Sequence, residues 1–142
     1  MATLPSNEFK ELLFKKVIDM ENDTFKLILM AADFTFDRAT HDVYADVSAN
    51  ELPTASGYTA GGVTLTGEVT TRNDTTHIVN TVWDNATWTA SGGNLIASGA
   101  ILFDDTVASP VADPILGFID FGAAVTIFDG GTFTVTNIEV EI

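Results

Sequence analysis

Apolar and polar positions change period several times along the chain, and each change marks an expected element. From Ser6, the apolar residues Phe9, Leu12, Leu13 and Val17 recur at helical spacing, with Ser6 placed to cap the first turn and Glu8 near its positive end. This pattern predicts a helix over Asn7–Lys16 and an acidic turn over Asp19–Asp23. A strand there would put Leu12 and Phe14 on one face and Leu13 and Val17 on the other, leaving neither face clean. Thr24–Ala31 carries two apolar rows, Phe25, Leu27, Leu29 and Ala31 on one side and Ile28 and Met30 on the other, the pattern of a central strand buried on both faces. Ala32–Glu51 turns polar, with Asp33, Asp37, Asp42 and Asp46, and reads as a long connection holding one turn of helix.

Period two then takes over. Val63, Leu65 and Val69 fall on one face of an expected half-buried strand, and Thr75–Val82 and Thr87–Ala90 carry further strand formers. Asn73-Asp74 and Gly92-Gly93 mark reversals. Leu95–Phe103 and Ile115–Phe121 are apolar on both sides and read as core strands, with Pro110 and Pro114 in the loop between them. Ala124–Phe128 and Thr132–Ile138 flank Asp129-Gly130-Gly131, whose glycines supply the positive φ of a tight hairpin. The expected fold is all-β, an antiparallel β-sandwich of jelly-roll or Greek-key type with about seven to nine strands and one short N-terminal helix. Residues 1–142 are expected to form one domain, with 1–20 as a helical N-terminal arm, and a small closed barrel is the competing architecture.

Composition narrows the function. Hydrophobic residues make up 46% of 142 positions and include ten Phe, enough for one ordinary core despite a formal charge of −14. Five of the six basic residues, Lys10, Lys15, Lys16, Lys26 and Arg38, lie near the N-terminus, and none follows Arg72. Nine acids occupy that cation-free stretch: Asp74, Asp84, Asp104, Asp105, Asp113, Asp120, Asp129, Glu139 and Glu141. So few cations leave nothing to neutralise phosphates, which argues against direct nucleic-acid binding and against an anionic membrane surface. No apolar run approaches the roughly 20 residues of a membrane span, so a soluble protein is expected. The polarised charge would instead let the basic or mixed N-terminal face dock on an acidic face of another copy or of a larger scaffold. The absence of cysteine removes disulfides, thiolate metal sites and a thiol nucleophile. Met1–Lys10 lacks an apolar stretch behind a basic region, so synthesis and assembly in a cytoplasm without Sec-type export is expected.

Candidate chemistry is thin. His41 sits in an Asp-rich loop, and His77 lies in an expected strand where a solvated, outward-facing ring is the commoner arrangement. Asp104, Asp105 and Asp113 would offer oxygens to a hard cation such as calcium, but their spacing fits no EF-hand loop and an acidic solvated loop is the plainer reading. The glycine cluster Gly57-Tyr58-Thr59-Ala60-Gly61-Gly62 leads into a strand with no Gly-Lys-Ser/Thr ending, so it reads as structural. Asp120 between Phe118 and Phe121 is either an acid of raised pKa or a residue facing water from one side of a sheet. Tyr44, Tyr58, Trp83 and Trp88 would make either a sugar-stacking platform or core filling, which exposure alone distinguishes. Asn22-Asp23-Thr24, Asn73-Asp74-Thr75 and Asn85-Ala86-Thr87 match the glycosylation pattern, as a Thr-rich chain does by chance. No catalytic, cofactor-binding or metal set is expected, and paired glycosidase carboxyls are not demanded by any spacing.

Three ordered segments carry a family resemblance: Asp23–Leu29, Val47–Glu51 and Gly57–Gly67. It continues through Trp88-Thr89-Ala90-Ser91, Leu95–Asp104, Pro114–Gly122 and Gly130–Val135, so that it covers nearly the whole chain. In these segments the chain resembles small virion structural proteins of tailed bacteriophages. It departs from the family pattern in the longer Thr106–Asp113 loop and in the acidic ending Asn137–Ile142. The resemblance implies a non-enzymatic capsid decoration or cement protein on the capsid exterior, made in the host bacterial cytoplasm. Its partners would be the major capsid protein and itself, as a dimer or trimer. A tail or baseplate adhesin contacting host surface glycan is the alternative. Phe9, Leu12, Leu13 and Phe14 are the expected assembly contact.

Overall fold

The computed structural model describes residues 3–142, so Met1 and Ala2 of the expected arm lie outside the described residues. The class is all-β: strands β1 (Thr3–Pro5), β2 (Phe25–Met30), β3 (Val63–Thr64), β4 (Val69–Asn73), β5 (Ile78–Val82), β6 (Ala86–Thr89), β7 (Leu95–Asp104), β8 (Ile115–Ile127), β9 (Thr132–Val135) and β10 (Glu139–Glu141), with helices α1 (Asn7–Phe14) and α2 (Tyr44–Val47) and a 3₁₀ turn at Ser48–Asn50. The strands form three antiparallel sheets in the orders β1-β8-β7-β2-β3, β10-β5-β4 and β6-β9.

The five-stranded sheet is the frame. Apolar residues on both sides of β2 and β7 make burial of both faces the stable arrangement. Phe25, Leu27 and Leu29 of β2 and Ala100 and Leu102 of β7 face one cluster, joined by Phe9 and Leu12 of α1, by Trp83 just after β5 and by Trp88, Val135 and Val140 of the smaller sheets. Ile28, Met30, Ile101 and Phe103 face the other, which Phe34, Phe36, Tyr44 and Val47 of the long connection close. In β8 the pairing passes from Leu102↔Gly117 to Phe103↔Ile115, so Leu116 is an extra residue. That bulge turns Ile115 and Phe118, three positions apart, into one cluster and Leu116 and Ile119 into the other.

The connection between β2 and β3 is held by one carboxylate. Glu51 accepts from the Tyr44 and Tyr58 hydroxyls at 2.6 Å each and from the Gly61 amide at 2.6 Å, while the Tyr58 hydroxyl itself accepts from Leu29 N–H at 3.1 Å. Burial, reinforced by this carboxylate, raises the Tyr44 hydroxyl to about 12 and pushes Tyr58 up further.

Several boundaries differ from those expected. The Val63–Val69 strand is two strands in different sheets, because Gly67 takes φ +70 against the Asp84 carboxylate between them. The Thr132–Ile138 strand stops at Val135, and Asn137 at φ 53 precedes β10. Ala124–Phe128 is no separate strand but the end of β8. Asp129-Gly130-Gly131 does reverse the chain, with Gly131 N–H on Phe128 C=O at 2.7 Å, yet β9 pairs with β6 and not with β8. Ala90 carries the turn across, donating to Gly131 C=O and accepting from Gly130 N–H at 2.8 Å each. The N-terminal segment is not wholly helical, since Thr3–Pro5 pairs with β8 before α1 begins.

Gly62 tests the close packing of the connection. It has φ +68, and a Cβ there would sit 2.0 Å from Leu27 C=O, whereas Gly61 at φ +94 faces open space. Gly62→Ala is expected to cost at least about 2 kcal/mol more than Gly61→Ala in urea unfolding, since both share the left-handed strain but only Gly62 meets backbone. Equal losses would contradict this packing.

Candidate interaction surface

The expected assembly residues divide between the core and the surface. Ser6 caps α1, its hydroxyl accepting from Phe9 N–H at 2.9 Å and donating to Ile115 C=O at 2.6 Å, which seats the helix against β8. Helical geometry then points Phe9 and Leu12 inward, where each is 1% exposed. These two belong to the core, so of the four expected contact residues only Leu13 and Phe14 reach the surface. Leu13 is half-buried and Phe14, the last helical residue, is 88% exposed. A Phe so exposed forgoes most of the roughly 2 to 3 kcal/mol its burial would contribute.

Leu13 and Phe14 do not stand alone. With Val79 of β5 and Ile142 they line an open apolar groove of about 320 Å³. It continues between α1 and the β10-β5-β4 sheet over Phe9, Met20, Thr70, Thr81 and Val140. Val79 and Ile142 exchange two backbone hydrogen bonds of 3.0 Å, so the groove floor is ordered sheet. Lys10, Lys15 and Lys16, half of the chain's cations, lie on or just after α1, and Lys15 pairs with Glu11 one turn back.

The residues singled out for chemistry lie apart. His41 accepts from Asp37 N–H through Nδ1 at 3.0 Å and stacks on Phe34, which makes it part of the loop cover. His77 is not in a strand. It occupies the turn before β5 at φ 60 and is exposed. Asp120 is exposed and accepts from Gly122 N–H at 2.8 Å. Tyr58, Trp83 and Trp88 are buried and Tyr44 stacks on Phe103 at 4.9 Å, so these rings fill the core and present no platform. The Gly57–Gly62 cluster forms the turns that lead to β3 and delivers Gly61 N–H to Glu51.

Asp104, Asp105 and Asp113 are not gathered into a ligand set; among the described residues no group of three or more His, Cys, Asp or Glu is placed to hold a metal ion. Asp105 pairs with Lys26 at 3.0 Å, and Asp113 sits at φ 52 with its N–H on Val107 C=O. Asp104 alone is fully buried. Its Oδ1 accepts from Thr106 and Val107 N–H at 2.8 and 3.2 Å, and its Oδ2 has no hydrogen-bond partner among the described residues. Burial pushes this carboxyl up to about 7, against the two amides that favour its ionised form and with the nearby Asp23 carboxyl adding to the rise. Among the described residues no helix is long and apolar enough to cross a membrane.

Comparison with family models, with curated protein sequences and with solved structures gives no match.

Asp104 makes stability pH-dependent in a defined direction. Its folded pKa lies above its unfolded value near 4, so the folded state holds the proton longer and stability is lost as pH rises from about 4 to about 7. Asp104→Asn keeps the acceptor for the two amides and removes the charge. The melting temperature of the variant minus that of the native chain is expected to grow across this interval and level off above it. A difference independent of pH would contradict the assignment.

Proposed function

We propose that the protein is a non-enzymatic structural component of a tailed-bacteriophage virion, a capsid decoration protein that self-associates and braces the major-capsid lattice from outside. The observation that carries this reading is the apolar groove of Leu13, Phe14, Val79 and Ile142 at the end of α1, a helix that carries Lys10 and is followed at once by Lys15 and Lys16, on a chain of net charge −14. A nearly bare Phe next to the main concentration of cations suits docking on an acidic surface that offers an apolar ridge. The segments that resemble virion proteins, Gly57–Gly67 and Pro114–Gly122 among them, support the same assignment. A lattice presents its sites in many copies, so a modest contact repeated over associated chains holds by avidity.

Two experiments test it. Reconstruction of virions of the encoding phage is expected to place the chain on the outer head shell; density confined to the tail would contradict the proposal. Phe14→Asp is expected to weaken binding to heads at least about tenfold, because the groove loses its apolar lip. Its melting temperature should stay within about 2 °C of the native value, since the side chain contributes little to the chain's own core. Unchanged binding in a folded variant would remove the groove from the contact.

A further inference from the structure

We infer that two copies join through β4, edge to edge and antiparallel, with Thr70 opposite Thr70 on the two-fold axis. This rests on the self-associating reading above and gives it a location. Among the described residues β4 pairs with β5 on one side only, all five of its residues are exposed, and it contains neither proline nor glycine. Such an edge presents a row of unpaired amides and carbonyls, the usual template for strand addition. The edges of the larger sheet are poorer templates: β3 has two residues, and β1 has three and ends in Pro5.

The backbone phase selects the pairs. Val79 exchanges both its hydrogen bonds with Ile142, so its amide and carbonyl point toward β10. Those of Ile78, Asn80 and Val82 therefore point toward β4, where they face Asn73, Thr71 and Val69 in register. Thr70 and Arg72 are left with outward-pointing amides and carbonyls, and Glu68 stands immediately before β4, two positions from Thr70.

Charge then selects the register. With Thr70 on the axis, Arg72 of each copy stands opposite Glu68 of the other, giving two opposite-charge cross-strand pairs, and Thr71 stands opposite Val69. Moving the axis to Thr71 would set Glu68 against Asp74, two like charges. Arg72 is free to change partner, because its present ion pair with Asp74 at 2.7 Å is exposed on both sides and so holds weakly. An axis through Thr70 normal to the sheet keeps both α1 helices on one side. The dimer would thus present two Phe14 grooves to the same shell.

The chain has no cysteine, which makes a single introduced thiol a clean reporter. Opposed Thr70 Cα atoms in a hydrogen-bonded pair would be about 5.5 Å apart, within disulfide reach. Thr70→Cys is expected to oxidise to a covalent dimer at least about tenfold faster than Ala60→Cys, a substitution at an exposed loop residue remote from the edge. Arg72→Glu and Glu68→Arg are each expected to weaken the native dimer about tenfold by sedimentation, and the double exchange to restore it. An oligomer whose Thr70→Cys form crosslinks no faster than the Ala60→Cys form, or which ignores both charge reversals, overturns the β4 contact and leaves self-association standing. A strict monomer at every concentration tested overturns both.

Discussion

The structure depends on burying both faces of one sheet. Strands β2, β7 and β8 supply apolar residues to either side, and a sheet of that kind holds together only when each side is covered by other parts of the chain. One cover is α1 with the two small sheets. The other is the stretch between β2 and β3, which has little regular structure and would not stay folded over the sheet by propensity alone. Glu51 solves that problem by binding two tyrosine hydroxyls and a glycine amide at once, and Tyr58 links the assembly to the Leu29 amide of β2. One half-buried side chain thus gathers three donors from separate parts of the connection, which ties Tyr44, Tyr58 and Gly61 to a single point.

The same constraint decides what is left for the surface. Apolar side chains that serve the two clusters are out of reach of a partner, including Phe9, Leu12 and the tryptophans. The exposed large apolar side chains are Phe14 at the end of α1, Val69 and Val79 of the β10-β5-β4 sheet and Ile142, with Leu4, Ile96 and Phe128 elsewhere. Asp104 shows the opposite case, a charge-bearing group carried inside at the end of β7, where its backbone contacts shape the Thr106–Val107 turn and its unpaired oxygen makes burial costly.

Much of the frame was legible in the chain. The two apolar rows of Thr24–Ala31 and the dense run Leu95–Phe103 announce strands buried on both faces, and Ser6 with Phe9 and Leu12 announces the helix. Pairing was less legible, because turn residues encode a reversal and not the strand that follows it home. Asp129-Gly130-Gly131 reads as a hairpin, but β9 finds β6, whose residues precede their partners by 43 to 49 positions. The period-two apolar pattern runs across Gly67 and so predicts one strand there, although a glycine is where a change of sheet costs least. As for the surface, spacing identified an apolar helix face but not how it divides. Val79 and Ile142 complete the groove from distant segments, and only the fold brings them to Phe14.

The proposed contacts lie on the β10-β5-β4 sheet, outside the doubly covered frame of β2, β7 and β8. Hydrogen exchange measured at low and high protein concentration tests this most directly. β2, β7 and β8 should exchange slowest at every concentration, while the amides of Glu68, Thr70 and Arg72 should exchange freely in dilute solution and become protected as concentration rises. Protection at β4 that does not depend on concentration, with new protection appearing elsewhere, would contradict it.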